Sequence, residues 1–452
     1  MIDRRALLAS GLASLPSLAG ASTARPERRH WNSLILAHWH WFPLSFDNKS
    51  TTLDYYTTEY LSPNGEGGRH RSYDGYLRDR PQPTIRRNDD RFWVEHDMHQ
   101  DMMLAKDAGV DGFQFNIPSF SSGKSVFFSA ALEVAGTIAG GFGVSPCVDC
   151  SIHDVDFGEP LVEVVARALS SKSALRDCDG TAILSVFAPE LWGGAAWSSF
   201  TKQLRARSPR FLTYAIVVQP AHVTYDLFRA IDLLGCTVGD KLEDLEYSEA
   251  LRRLAATHGK TYVQSIYPQD YRPYAGIFME SHNTLVMRSM WERVVENKDQ
   301  FVNLMTWNDY SENTHIRPSQ QTASLFGLIC KYYSNILKGV PEAGMPFFVA
   351  LCSRAGSLTP GRLVLRGEGE IENSVEVVYY LPRGASVAIE TGGRSLLGVQ
   401  EQAGLGSLRL PLAAGRTEVV VAMAGERRRF VSQRVIGPPV SSALYGAEVF
   451  LL

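Results

Sequence analysis

At 452 residues the chain exceeds one small domain and suits a barrel-sized unit with a smaller partner. With 45% apolar and 21% charged residues it falls outside the disordered and fibrous classes. A net charge of -3 excludes nucleic acid as the main partner, because phosphate binding needs a basic face.

The N-terminus carries Arg4-Arg5, then a short apolar run ending in Leu18-Ala19-Gly20-Ala21. A charged start, an apolar stretch and a small-x-small end read as a signal peptide over residues 1–21, of the twin-arginine kind. The run is shorter than the ~20 apolar residues a membrane span requires. The mature protein is therefore expected outside the cytoplasm, periplasmic or extracellular, without a span.

From residue 31 to 344 apolar runs alternate with helical stripes. Strands are expected at Leu34–Trp41, Asp111–Ile117, Val144–Cys150, Ala182–Ala188, Leu212–Val218, Ile231–Val238, Tyr262–Tyr267 and Phe301–Trp307. Between them, Val94, Met98, Met102 and Ala105 share one helical face, and Gly109 stops that helix. Met287, Met290, Trp291, Val294 and Val295 form a second stripe, and Leu325, Ile329, Tyr332, Ile336 and Leu337 a third. This alternation predicts an α/β fold, a (β/α)8 barrel. Residues 42–90 form an unusually long connection after the first strand, rich in Tyr, Arg, Asp, Gly and Pro. It leaves the end of the barrel where active sites sit and is expected to wall the substrate cleft.

From 345 to 452 the period changes to two, as in Ser374–Tyr380, Ser386–Glu390 and Glu418–Ala422, with Gly- and Pro-bearing turns between. That predicts a small antiparallel β-sandwich. Cys147 and Cys150 form a C-x-x-C, but three residues apart on a strand they point to opposite faces, so no shared metal is expected.

The densest chemistry lies in Met305–Pro318, at the C-terminal end of the eighth strand. Asp309 and Glu312 stand three residues apart on a turn, a separation that permits the roughly 5–9.5 Å used by paired glycosidase carboxylates. One acid protonates the leaving oxygen, and the other activates water or stabilises the charged sugar. The plainer reading of this pair is a helix N-cap with its capping residue. Trp307 is a sugar platform or barrel core. Asn308 orients a hydroxyl or binds a strand end. Tyr310 completes this group of candidate contacts. At the first strand, His38 and His40 share one face and Trp39 and Trp41 the other. His38 is a sugar contact or a core histidine, with His40 beside it. Asn116, Asp149, Gln219, Gln264 and Tyr267 are polar strand-end residues placed to contact hydroxyl groups, with Asp240 and His315 as further candidates.

Trp307-Asn308-Asp309-Tyr310-Ser311-Glu312 resembles the Trp-Asn-Asp-Tyr/Phe-Gly-Glu signature of glycoside hydrolase family 71, the endo-α-1,3-glucanases or mutanases. Ala37-His38, the block Ala105–Phe113 with Asn116, Ser185–Ala188, and Tyr262 with Tyr267 resemble further family blocks in the same order. The likeness spans most of residues 33–340 and leaves out the C-terminal sandwich. It implies that Asp309 and Glu312 are catalytic and that an α-1,3-glucan is hydrolysed with inversion. The continuation Asn313-Thr314-His315-Ile316-Arg317-Pro318 departs from the family and is closer to endo-α-mannosidase-like barrels, which bears on sugar and linkage.

The expected partner is thus an α-glucan polysaccharide, and no metal or organic cofactor is implied. His-x-His on the first strand, with Asp309, also suits a metal-dependent amidohydrolase, although the fourth strand offers no Lys, the end of the sixth no His, and His222 follows the fifth only loosely. A non-catalytic glycan-binding barrel is the reading from a third class.

Overall fold

The computed structural model describes residues 33–84, 90–117, 125–152, 158–237, 245–340, 344–366, 370–391 and 394–451. The signal-like segment 1–21 and Asp240 lie outside them.

Strands β1 (Leu34–Trp39), β2 (Gly112–Asn116), β3 (Gly143–Asp149), β4 (Ala182–Phe187), β5 (Phe211–Val217), β6 (Leu233–Cys236) and β7 (Thr261–Ile266) run parallel. After β7 comes a short hairpin, β8 (Asp270–Arg272) and β9 (Ile277–Met279). The eighth barrel strand is β10 (Phe301–Leu304), which pairs with β7 and β1 and closes the barrel. Helices α1 (Trp93–Asp107), α2 (Ser125–Ala135), α3 (Gly158–Ser170), α4 (Gly193–Arg207), α5 (Tyr225–Ala230), α6 (Leu245–Thr257), α7 (Leu285–Asn297) and α8 (Leu325–Leu337) alternate with these strands.

The helices form where the stripes predict them. Met98, Met102 and Ala105 of α1 are buried. Gly109 follows with φ +87°, and a Cβ there would meet Ser334 Oγ at 2.2 Å, so glycine alone suits this helix end. On α8 the buried face includes Phe326, Ile329, Cys330 and Tyr333, and Ile336 of the predicted stripe is exposed.

Register decides which side chains face the barrel interior. Trp39 stacks on its β2 neighbour Phe115 at 4.1 Å and bonds to Asp101 of α1, so both aromatics point outward. The alternate residues His38, Gln114 and Ser145 are paired in register and point inward, as does Asn303 beside Leu36. The interior is therefore partly polar, with Gln114 Nε2 donating to Asn303 Oδ1 at 2.6 Å.

Two four-stranded antiparallel sheets follow. One has the order β16 (Gly404–Pro411), β13 (Ser374–Leu381), β11 (Phe348–Ser353), β19 (Gly446–Leu451). The other has the order β15 (Arg394–Glu401), β14 (Ala385–Thr391), β17 (Thr417–Met423), β18 (Glu426–Val431). Alternation explains how the first sheet serves two neighbours. Val377, Tyr379 and Leu381 pack against Val387, Ile389, Val419 and Val421 of the second sheet. The intervening Val378 and Tyr380 join the core of the barrel. Glu376, on the barrel-facing side, is fully buried and accepts from Arg288 and Thr284 around α7. A third, smaller sheet joins the two regions: β12 (Val364–Leu365) lies parallel to β9 of the hairpin.

Cys147, Cys150, Cys330 and Cys352 are free thiols, and all four are buried. No helix among the described residues is long and apolar enough to cross a membrane.

Candidate active site

The segment after β10 turns back on itself. Thr306 N donates to Thr314 O and Ile316 N to Thr306 O, while Trp307 N reaches across to His38 O at 2.8 Å. From Phe301 through Arg317 every residue is buried except Glu312. This tight loop presents one partly open carboxylate at the barrel rim.

Asp309 shapes the turn. Its Oδ1 accepts from Ser311 N at 2.8 Å, Ser311 Oγ at 2.7 Å and Glu312 N at 3.1 Å. Among the described residues no donor reaches Oδ2. No helix begins here, so the helix-cap reading is replaced by a turn that fixes both acids relative to each other.

The Glu312 side chain is 26% exposed, and its Oε1 lies 2.9 Å from Arg272 Nη1. Arg272 is gripped by Asp270 through Nε and Nη2, both at 2.8 Å. Surrounding protein pushes the Glu312 pKa well above the ordinary carboxylate range. The charge of Asp309 adds to this, while Arg272 and Arg366 pull the other way and Asp270 adds again. Tyr274 and Tyr76 flank the acids, their rings 6.1 Å apart. Burial pushes the Tyr76 hydroxyl up to about 12, and Asp309 contributes.

His38 faces the same space. Burial, with the charge of His40 adding to it, lowers its pKa to about 4 against the pull of Asp149 and Asp309. The ring is neutral at neutral pH, and its Nδ1 finds no hydrogen-bond partner among the described residues. The His40 ring lies 6.4 Å from that of His38. Asp149 is buried at the end of β3 and accepts from Asn116 Nδ2 at 3.2 Å and from Ser151 N and Oγ. The structure thus brings together Asp309, Glu312, His38, His40, Asp149 and Asn116. Among the described residues no three His, Cys, Asp or Glu side chains are grouped so as to hold a metal ion, the arrangement an amidohydrolase site requires.

The other expected contacts lie outside this group. Trp307 is no sugar platform: its ring is wholly buried behind the barrel wall, and its Nε1 donates to Asp101 Oδ1 at 2.7 Å. Asn308 is a clip, accepting from His40 N and donating to His40 O and Phe42 O. Tyr310 is buried under the long loop with Phe42, Tyr56, Tyr60 and Leu77. Gln264 shares the outward register of Val302 and Ile35 and donates to Ser265 O, so it faces away from the interior. Tyr267 is a core residue, and Gln219 is an exposed residue whose backbone N–H is held by Glu190. His315 is buried against Tyr310 and Asp79.

The sequence reading missed Arg272, Asp270, Tyr274, Tyr76 and Arg366. For the first three a signal existed: Asp270-Tyr271-Arg272-Pro273-Tyr274 is a polar, aromatic run just beyond a barrel strand.

No curated protein matches the chain. Among solved structures, the GH99 endo-alpha-mannosidase from Bacteroides thetaiotaomicron is 12% identical, with a TM-score of 0.52 over 68% of this chain and 98% of that one. The same enzyme in complex with BIS-TRIS-Propane gives a TM-score of 0.50 at 12% identity, with the same shares covered. At that identity the likeness shows the barrel fold alone. The family model for glycosyl hydrolase family 71 matches residues 85–335, more than half of the chain and inclusive of the rim loop with Asp309 and Glu312. The chain belongs to glycosyl hydrolase family 71.

Proposed function

We propose that this glycoside hydrolase cleaves an α-linked glucan, with α-1,3 linkages as its best substrate, within the chain and with inversion. The observation that carries the reading is the unequal setting of two neighbouring carboxylates at the barrel rim. Glu312 sits where burial and Asp309 favour its protonated form, which suits a proton donor. Asp309 is oriented by three donors on Oδ1, and Oδ2 receives none among the described residues, which suits a group that accepts a proton from water.

In this scheme Glu312 gives its proton to the glycosidic oxygen as the bond to the anomeric carbon breaks. Asp309 Oδ2 takes a proton from the attacking water, whose oxygen forms the new bond from the opposite face. Neutral His38, with Asn116 and Asp149, contacts sugar hydroxyls across the rim. The aromatic loop after β1 and Tyr274 wall the cleft. The family membership supports the glycan substrate, and the twin-arginine-like N-terminus supports a site of action outside the cytoplasm. A screen of α-glucans by released reducing ends tests the reading. Turnover is expected to be highest on α-1,3-glucan, and failure to cleave any α-glucan would overturn it.

A further inference from the structure

Glu312 is held from outside its own loop. Tyr271 N, in the centre of β8, donates to Glu312 O at 2.8 Å, and Tyr271 O accepts from Asn313 Nδ2 at 2.7 Å. On either side of Tyr271 stand Asp270 and Arg272, and Arg272 is the guanidinium on Glu312 Oε1. The β8 strand therefore grips both the backbone and the carboxylate of one residue.

That strand is secured by the C-terminal region. Val364 N donates to Gly276 O and Arg366 N to Phe278 O, both at 2.8 Å, which lays β12 along β9. At the end of β9, Glu280 accepts from Arg354 Nη2 at 3.0 and 3.2 Å and from Tyr445 Oη at 2.6 Å. Tyr271 and Phe278 are buried against Leu358 and Ala443 of the same region. These residues belong to a module whose sequence carries no resemblance to the family signature.

We propose that the C-terminal module is part of the active site: through β12, Arg354 and Tyr445 it fixes the β8–β9 hairpin, and Arg272 on that hairpin is the positioning residue that sets the place and charge of Glu312. This rests on Glu312 being catalytic. The charged and titratable groups facing Glu312 are Asp309 on its own loop, Asp270, Arg272 and Tyr274 on the hairpin segment, and Arg366 just past β12. Arg272 is the one in direct ion-pair contact.

The test is the titration of Glu312 in the free, full-length protein, followed by carboxyl-carbon NMR with E312Q as the subtraction reference. Replacing Arg272 by Met removes an opposite charge at contact distance, so the Glu312 midpoint should rise by on the order of one pH unit. R272K should keep most of the wild-type midpoint. The high-pH limb of the pH profile of kcat/KM, set by the proton donor Glu312, should move up by the same amount. R272M leaves Asp270 buried without its partner and is at risk of misfolding. In that event D270N/R272M is read against D270N, so that the loss of the Asp270 charge is common to both and only the Arg272 charge differs; the midpoint should be higher in the double variant. Val364→Pro deletes the Val364 N–H and touches no group near the acids, and it should move the Glu312 midpoint the same way. An unchanged midpoint in folded R272M, or an equal midpoint in D270N and D270N/R272M, overturns the role of Arg272. A V364P protein with wild-type midpoint and wild-type pH profile overturns the role of the module. Absence of glucan hydrolysis by the wild type would instead sink the functional reading and leave the NMR result standing.

Discussion

Asp101 of α1 and Arg317 of the rim loop form an ion pair at 3.0 Å with both side chains essentially buried. Asp101 also accepts the indole N–H groups of Trp39 and Trp307, so one carboxylate ties β1, the loop after β10 and α1 together. Arg317 in turn donates to Phe42 O and lies over the Tyr310 ring. Losing one member of such a pair strands a buried charge, which typically costs about 3–5 kcal/mol. Arg317→Met should therefore lower stability by that order, read as a shift of the urea midpoint. A loss below about 1 kcal/mol, the range of an exposed pair, would show that the network is not what holds the loop.

Asp309→Asn and Glu312→Gln preserve size and remove proton exchange. Each should lower kcat on unactivated glucan by roughly 10²–10⁴ while leaving binding in place. An activated aryl leaving group needs less protonation, so it should restore the acid variant more than the base variant. That comparison assigns the two roles, with Glu312 expected to be rescued. Near-wild-type turnover by either variant on natural polysaccharide would reduce that residue to a turn-former.

His38 titrates at about 4 in the fold against 6.5 in an unfolded chain. The unfolded state therefore binds more protons between those values, and stability rises with pH through that window. The contribution is complete above about pH 6.5, shrinks as pH falls, and is gone near the folded value. The span corresponds to up to about 3 kcal/mol. His38→Gln should flatten the slope of melting temperature against pH between about 4 and 6.5. An unchanged slope would mean that His38 is not held neutral.

We propose export on the strength of Arg4-Arg5, the apolar run and Ala19-Gly20-Ala21. Mature chains should begin near Ser22, and intact-mass measurement of the secreted or periplasmic fraction checks this. Recovery of only full-length, cytoplasmic protein would refute it, and Arg4-Arg5→Lys-Lys should slow export.

The barrel was legible in the sequence because its strands are short apolar runs and its helices carry three- and four-residue stripes. Met98, Met102 and Ala105, with Gly109 after them, announce α1 by local spacing alone. The change to alternation after residue 345 announced the sheets for the same reason. The rim loop was legible because two acids, a tryptophan and an asparagine crowd one strand end. What each of those residues does was not legible. Trp307 and Gln264 read as site residues, yet one is buried against Asp101 of α1 and the other lies on the outward register of β7, and neither the partner nor the register is encoded within a few residues of either side chain. Asn308 and Tyr310 became structural for a similar reason, since their partners Phe42 and Tyr56 lie some two hundred and fifty residues earlier. Alternation in β13 could not say that one face serves the sandwich and the other the barrel. The grip of Arg272 on Glu312, secured by Val364 and Arg354, joins three distant stretches of chain. Periodicity reports the local backbone and which residues seek burial; the charge felt by a carboxylate depends on which side chains the closed barrel brings beside it.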